Sequence, residues 1–281
     1  MRITTTTLLF ILSISLLAQT DPLDYVDPMI GTARMGHTYP GATAPFGMVQ
    51  LSPDTDTIPY AVNGKYTGDV YKYCAGYQYE DKTIVGFSHT HFSGTGHSDL
   101  GDFLIMPTVG ELQLNPGTSD KPEAGYRSRF SHDTEDAEAG YYKVQLEDHD
   151  IQAELTATTR VGVHRYTFPE TDEAHLILDM MYGIYNYGEK TTWSFIRMEN
   201  DTLITGYKST NGWARTRTMY FAMSLSKPVK SYGFKSYEKH PYKGFWGRFD
   251  QENNFPEAAN EKIRAHFDFD MKEGEQLIVK V

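Results

Sequence analysis

The chain has 281 residues, of which 40% are hydrophobic and 22% are charged, so its composition is that of an ordinary globular protein with room for one large all-β domain or two smaller domains. Its formal net charge of −11 argues against nucleic-acid binding through the phosphate backbone and favours a neutral or cationic ligand. The single cysteine, Cys74, cannot form an internal disulfide, and we interpret it as a packed thiol.

The N-terminus has the pattern of a secretory signal peptide. Arg2 provides a short positive region, and the apolar segment at residues 8–18 is too short to span a bilayer. A polar sequence, QTDPLD, follows, and no cysteine stands behind the apolar segment as a lipoprotein would require. We assign residues 1–20 to a signal peptide, and we expect a periplasmic or secreted protein without a transmembrane segment.

A stretch rich in glycine and proline follows at residues 26–55, with the sequence VDPMIGTARMGHTYPGATAPFGMVQLSPDT. Glycine and proline impose unusual backbone paths, and an irregular segment that is also apolar is typical of an interface. His37 is the reactive candidate in this stretch, although a lone histidine is more often structural.

Three histidines lie close together in GFSHTHFSGTGHSDLGDF, residues 86–103. His89 and His91 are two residues apart and would share one face of a strand, so they could bind zinc together with His97 or Asp99. A flexible Gly-Thr-Gly segment before His97 argues against a rigid metal site. We favour the alternative that His89 is a hydrogen-bonded structural residue, and for His91 both alternatives remain open.

The polar loop inside this segment is the main candidate for ligand binding, because polar loops held between buried strands are where sites usually lie. The two aspartates could accept hydrogen bonds from sugar hydroxyls, act as a glycosidase acid–base pair, or only shape turns. A pair on one short loop does not suit an inverting enzyme, whose carboxyls are roughly 6.5–9.5 Å apart across the sugar. The predicted substrate-binding residues are Ser93, Gly94, Thr95, Gly96, His97, Ser98, Asp99 and Asp102.

Alternation of apolar and polar residues dominates the rest of the chain. It is clear at residues 142–146, 151–158 and 219–225, and it predicts half-buried strands separated by turn clusters. The best helical candidate, residues 256–267, lacks a clear apolar face. The sequence therefore predicts one all-β domain of two large antiparallel sheets packed face to face, with few or no helices.

Two features near the C-terminus bear on function. Trp213, between Asn211 and Arg215, could stack on a sugar ring or be buried at a corner of a sheet. The final sequence GEQLIVKV is typical of a strand with no polar tail after it, which favours a fragment of a longer protein.

Several segments, taken in order, resemble the N-terminal domain of glycoside hydrolase family 92, a family of secreted bacterial exo-acting α-mannosidases. The resemblance covers Asp24 to Val281. The segments that carry it are YVDPMIGT, GHTYPGATAPFGMVQLSPDT, GYQYEDKTIVGFSHTHFSGTGHSDLGDFLIMP, AGYYKVQL, ELTATTRVGVHRYTFP and NGWARTRTMYFAMSLSKP.

This resemblance implies a large β-supersandwich of the galactose mutarotase type at residues 24–281, which a catalytic α/α barrel absent from this chain would follow. It also implies an inverting, calcium-dependent enzyme that trims mannose from N-glycans, with both catalytic carboxylates in the barrel. The fragment would then contain no catalytic residue and would not bind calcium by itself. Its partners would be mannose-containing glycans and the barrel of the same protein, and not nucleic acid.

For the loop at residues 93–102 the resemblance implies a contribution to the sugar pocket at the domain interface, and residues 36–48 are expected on the same surface. Some family members carry an aromatic residue in this loop for the leaving sugar, where this chain has His97, Ser98 and Leu100. Two alternatives remain at this stage. One is a stand-alone carbohydrate-binding module, and the other is a sugar epimerase of the mutarotase type.

Overall fold

The structure is a computed structural model that describes residues 21–97, 99–184, 190–237 and 256–281. The predicted signal peptide at residues 1–20 and the candidate residue Ser98 lie outside these ranges. Within the described ranges, no helix has both the length and the apolar character that crossing a membrane requires.

Strands make up nearly all of the regular structure, together with four short 3-10 helices in the described residues. The 3-10 helices are Pro22–Tyr25, Gly68–Tyr73, Pro122–Ala124 and His132–Thr134. The strands are β1 Ala42–Thr43, β2 Gln50–Asp54, β3 Ala61–Val62, β4 Lys65–Tyr66, β5 Thr83–Ile84, β6 Gly86–Ser88, β7 Leu104–Val109, β8 Ser128–Arg129, β9 Asp136–Glu138, β10 Tyr141–Leu146, β11 Ile151–Ala157, β12 Gly162–Thr167, β13 Thr171–Asp179, β14 Thr191–Asn200, β15 Leu203–Thr210, β16 Arg217–Leu225, β17 Ser231–Ser236, β18 Glu257–Asn260, β19 Ile263–Met271 and β20 Gln276–Lys280.

Two large sheets form the sandwich. One has seven strands in the order β1-β2-β6-β7-β13-β19-β17, and the other has nine in the order β18-β14-β15-β16-β20-β12-β11-β10-β9. Their paired strands run antiparallel, and one apolar cluster joins side chains of both sheets, such as Phe267 and Leu176 from the first and Tyr166 and Met223 from the second. The predicted all-β antiparallel sandwich is confirmed.

The alternating segments form strands with the expected faces. In β10 the side chains of Tyr142, Val144 and Leu146 are completely buried, and in β11 Ile151 and Ala153 are buried as well. Side chains two residues apart point to the same face of a strand, so each strand contributes one apolar row to the core.

The candidate helix at residues 256–267 is wrong. This segment contains β18, which pairs with β14 of the nine-stranded sheet, and the start of β19, which pairs with β13 of the seven-stranded sheet. Ala265 and Phe267 are buried while the intervening His266 is half-buried, so the segment has the period of a strand and passes from one sheet to the other.

Strand pairing brings three connections to one end of the sandwich. Asp179, the last residue of β13, pairs with Leu104, the first of β7, so the loop that precedes β7 emerges beside the chain that follows β13. Thr210, the last residue of β15, pairs with Arg217, the first of β16, and also with Thr191, the first of β14. The connections at residues 89–103 and 211–216 therefore meet at the end of the sandwich where β13 ends and β14 begins.

A chain of buried hydrogen bonds links the two sheets below this end. The Tyr166 hydroxyl lies 2.7 Å from His164 Nδ1, His164 Nε2 lies 3.0 Å from His89 Nε2, and His89 Nδ1 lies 2.8 Å from the Phe103 carbonyl oxygen. Because a carbonyl only accepts, His89 donates from Nδ1 and accepts from His164, which accepts in turn from Tyr166. Both imidazoles are thus neutral. Burial lowers the pKa of His89 to about 4 and holds the pKa of His164 well below its usual value.

We predict that this pair makes the protein less stable in mild acid. An unfolded histidine titrates near pH 6.5, so below that pH the unfolded chain binds protons that the folded chain excludes, and stability is lost as the pH falls toward 4. Each histidine should cost about 2 kcal/mol between pH 6.5 and 5. Urea unfolding across this range should show a shallower pH slope for His164→Gln than for the wild-type chain. Equal slopes would contradict the assignment of His164 as a neutral imidazole.

Candidate functional site

The predicted binding loop has an exposed part and a buried part. Residues 93–97 reach the surface between β6 and β7, whereas Asp99 and Asp102 are 6% and 0% exposed. The loop thus presents a serine, two glycines and a threonine at the surface, whereas His97 is half-buried with its Nε2 enclosed and the two carboxylates point into the protein.

The glycine- and proline-rich stretch lies directly beside this loop. The amide of Gly94 donates to the carbonyl of His37 at 2.6 Å. The His37 ring, 7% exposed, makes an edge contact with the ring of Tyr71, their centroids 4.9 Å apart. A Cβ on Gly96 would lie 1.9 Å from the Tyr71 hydroxyl, so the loop backbone touches the 3-10 helix at Gly68–Tyr73. The start of the stretch at residues 36–48 therefore contacts the loop at His37.

An aromatic pair lies on top of the loop. The ring centroids of His97 and Trp213 are 3.8 Å apart with an interplanar angle of 31°, and Phe92 meets the indole edge-on at 6.2 Å. Trp213 is still 69% exposed. The structure therefore contradicts the interpretation of Trp213 as a buried corner residue. An exposed indole over a polar loop is suited to stacking on the apolar face of a sugar.

Asp99 connects the loop to the turn that carries Trp213. Its carboxylate accepts hydrogen bonds from the amides of Leu100 at 2.8 Å and Trp213 at 3.1 Å. The turn-shaping role considered for the aspartates therefore applies to Asp99, across two loops that are 114 residues apart in sequence.

Asp102 lies under the loop and is paired with the opposite sheet. Its Oδ2 lies 2.5 Å from Nη1 of Arg217 and accepts from the Thr90 hydroxyl at 2.7 Å. Burial alone would raise the pKa of Asp102, but the charges of Lys208 and Arg217 and these hydrogen bonds bring it below its usual value. Because its carboxylate is ionised, fully buried and paired, Asp102 supports the loop from beneath, and its contact with a sugar hydroxyl stays a prediction.

Two buried lysines complete the floor of the site. The ammonium of Lys190 donates to the carbonyl of Ile184 at 2.6 Å, and that of Lys208 donates to the carbonyl of Tyr182. Burial lowers the pKa of Lys190 to about 8, although the negative charge of Asp99 acts to raise it. Burial also lowers the pKa of Lys208. With Arg217, these cations balance the two aspartates beneath the loop.

Backbone strain is concentrated at the same place. Of the seven non-glycine residues with positive φ in the described ranges, five lie in or next to the two stretches that meet here. The five are Arg34, His37, Phe46, Leu100 and Phe103. A left-handed conformation disfavours residues with a side chain, and such strain tends to accumulate at functional sites.

The surface around the loop is also apolar. Large hydrophobic side chains that are 41–105% exposed occur on the segments that meet here. They are Met35, Phe46, Met48, Tyr71 and Trp213. An exposed apolar surface beside a polar loop is typical of an interaction site.

His89, His91 and the cysteine are structural. His89 has both ring nitrogens in the cross-sheet chain, and His91 has Nδ1 2.7 Å from the Gln50 carbonyl and Nε2 3.1 Å from Asp54 Oδ1. In the described ranges, no group of three or more His, Cys, Asp or Glu residues is placed to hold a metal ion. Cys74 is fully buried, and burial raises its pKa to about 11, so the packed thiol is confirmed.

Sequence reasoning missed several residues of the site. Trp213 was a stacking candidate but was not placed with the predicted binding loop, although its Asn-Gly turn was a signal in the sequence. Tyr71 and Lys190 had no local signal, because their positions depend on strand pairing far along the chain.

We predict that the buried ion pair under the loop is important for stability. Arg217→Met leaves the Asp102 carboxylate buried without its hydrogen-bonded partner, with only the charges of Lys190 and Lys208 nearby, so the free energy of unfolding should fall by about 3 kcal/mol. The matched control is Lys230→Met, which breaks an ion pair with Asp270 whose side chains are 53% and 61% exposed, and it should cost less than about 1 kcal/mol. Urea unfolding of both variants measures the difference. Similar losses in the two variants would show that Asp102 does not need its partner.

Comparison with known proteins places this domain among glycosidases. The model of the glycosyl hydrolase family 92 N-terminal domain matches residues 25–281. A curated relative, an uncharacterized secreted glycosidase of Arthroderma benhamiae, is 30% identical over 154 residues, which cover 54% of this chain and 18% of that protein.

Two solved structures are similar over nearly the whole chain. The family GH92 α-mannosidase BT3965 of Bacteroides thetaiotaomicron, solved in complex with mannoimidazole, has a TM-score of 0.79 and 42% identity over 92% of this chain. The inverting mannosidase BT2199 of the same species has a TM-score of 0.65 and 25% identity over 93% of this chain. In each case the match covers 32% of the relative, so this chain spans about a third of the length of these enzymes.

Proposed function

The chain belongs to glycoside hydrolase family 92 through its N-terminal domain, and from this membership we propose that it forms part of the sugar pocket of an inverting, calcium-dependent exo-α-mannosidase that acts on N-glycan mannosides. The observation that carries the proposal is the meeting of the exposed loop at residues 93–97 with Trp213 at one end of the sandwich. The 42% identity to an α-mannosidase supports mannose as the sugar.

The site geometry supports a role for this domain in sugar binding, with proton transfer assigned to another domain. The surface of the loop offers hydroxyl, amide and imidazole groups for hydrogen bonds, and Trp213 offers an apolar face, so these residues are suited to holding a sugar. The two loop carboxylates are already engaged by backbone amides and by Arg217. We assign the catalytic acid and base to an α/α barrel in the remaining two thirds of the enzyme.

In the described ranges no group of three or more His, Cys, Asp or Glu residues could hold a calcium ion. We therefore derive no step through calcium here, and we propose that residues of the barrel bind it. The apolar surface that carries Phe46 and Met48 is the proposed contact with the barrel. We also propose that residues 1–20 are removed and that the protein is secreted or exported to the periplasm. A relative that is described as secreted supports this localisation.

A stand-alone carbohydrate-binding module is the second candidate, since the aromatic pair and the loop are complete within this chain. The two candidates differ in what the full-length protein does: a module binds mannosides without cleaving them.

We predict that the 281-residue chain alone will not hydrolyse α-mannosides, with or without calcium, because inverting hydrolysis needs an acid and a base on opposite sides of the sugar. The assay is release of mannose from an α-mannobiose by the purified chain, with the full-length enzyme as positive control. Mannose release above that of a heat-inactivated sample would overturn the assignment of the acid and base to another domain.

In the full-length enzyme, His97→Ala should weaken sugar binding without altering proton transfer. Loss of a hydrogen bond and of a stacking partner should lower kcat/KM by about tenfold. Both limbs of the pH–rate profile should stay in place, because those limbs report the acid and base. A pH–rate profile with a displaced or missing limb would instead identify His97 as a proton-transfer group.

A further inference from the structure

We propose that Asp99 is a positioning residue whose carboxylate ties the turn at residues 211–216 to the loop at residues 93–102, and so holds the Trp213 ring on His97 as the apolar platform for the sugar. The assignment of the platform to sugar binding rests on the proposed function, whereas the tie between the loops rests on geometry alone.

Asp99 is placed to connect the loops and not to meet a ligand. It is 6% exposed, and its two oxygens accept from different segments, Oδ1 from the amide of Leu100 and Oδ2 from the amide of Trp213. A carboxylate that accepts backbone amides is held strongly, because hydrogen bonds to a charged acceptor are about twice as strong as those between neutral groups. This replaces the earlier expectation that Asp99 binds a sugar hydroxyl.

The turn on the other side is shaped to receive this carboxylate. A Cβ on Gly212 would lie 2.7 Å from both Oδ1 and Oδ2 of Asp99, so a glycine is required for the close approach. The amide of Gly212 closes the turn on the carbonyl of Ala214 at 3.0 Å, and the amide of Asn211 donates to the carbonyl of Lys190 at 2.9 Å. The turn therefore has fixed contacts on both sides of Trp213.

The consequence is a fixed indole at the surface. An indole that is 69% exposed would otherwise sample several rotamers, and a platform that must be ordered on binding loses affinity. The amide of Trp213 itself donates to Asp99, and the ring lies on His97 two residues before Asp99 in the chain. One carboxylate thus sets the position of both aromatic rings.

The first test measures the tie in the 281-residue chain without any sugar. With histidine and tryptophan selectively labelled, NMR should show an NOE between His97 and Trp213 and an upfield ring-current shift of the His97 protons, assigned with His97→Gln and Trp213→Phe. In Asp99→Ala both signals should be lost while the resonances of Trp193 are unchanged. Persistence of the NOE and the shift in Asp99→Ala would overturn the proposal.

Two further variants keep this test decisive. Gly212→Ala keeps the carboxylate but leaves no room for it, so it should also displace Trp213 from His97; unchanged His97 signals in this variant would count against the tie. The control is Asp148→Ala, which removes another carboxylate that joins two segments, through the amide and guanidinium of Arg129, far from the loop. It should leave the His97 and Trp213 signals unchanged.

The second test measures the platform in the full-length enzyme by a double-mutant cycle. Asp99→Ala and Trp213→Ala should each raise KM for an unactivated α-mannobiose by about three- to tenfold, and the double variant should raise it no further, since both changes remove the same stacked ring. If the KM increase of the double variant equals the product of the two single increases, the two residues act independently and the proposed platform is wrong. If the NMR signals are lost in Asp99→Ala but neither variant alters KM, the tie is correct and the sugar assignment fails.

Discussion

A carboxylate buried at the end of a β-sandwich must be paired, and the pairing of Asp102 with Arg217 is the contact on which the site depends. Asp102 lies in the connection before β7 of the seven-stranded sheet, and Arg217 begins β16 of the nine-stranded sheet. Because an unpaired buried charge costs several kcal/mol, this pair fixes the two sheets relative to each other at the point where their loops emerge. The buried lysines and the chain from Tyr166 to Phe103 reinforce the same end.

Because this end of the sandwich is firmly held, the surface above it can contain strained backbone and exposed aromatic side chains. The segments above it combine strained backbone, an exposed phenylalanine with positive φ and an exposed indole stacked on an imidazole. Such features lower the stability of an isolated domain and are maintained when the structure beneath them is firmly held. They are suited to a domain that supplies the shape of a sugar pocket, while a second domain supplies the groups that transfer protons.

The architecture was predictable from local pattern because strands have a period of two residues. The segments of β10, β11 and β16 could be recognised from alternation alone, and the family resemblance identified the sandwich as a whole. The segment at residues 256–267 was ambiguous, since its two strands belong to different sheets and each is paired far along the chain.

The site was predictable only in part. The loop at residues 93–102 was recognisable by its glycines and polar residues, but no local signal indicates that Asp99 and Asp102 point inward. Their burial follows from Trp213 and Arg217, whose contacts with them span 114 and 115 residues of sequence. Contacts at such separation depend on how the sheets pack, which a single sequence does not specify.

The end of the sandwich that carries the loop at residues 93–97 and Trp213 should face the bound sugar. The most direct measurement is a crystal structure of the full-length protein with mannoimidazole, the ligand present in the structure of a relative. We expect ordered sugar within about 4 Å of the loop at residues 93–97 or of Trp213, with the apolar surface around Phe46 covered by a second domain. Sugar bound with both segments facing open solvent would contradict it.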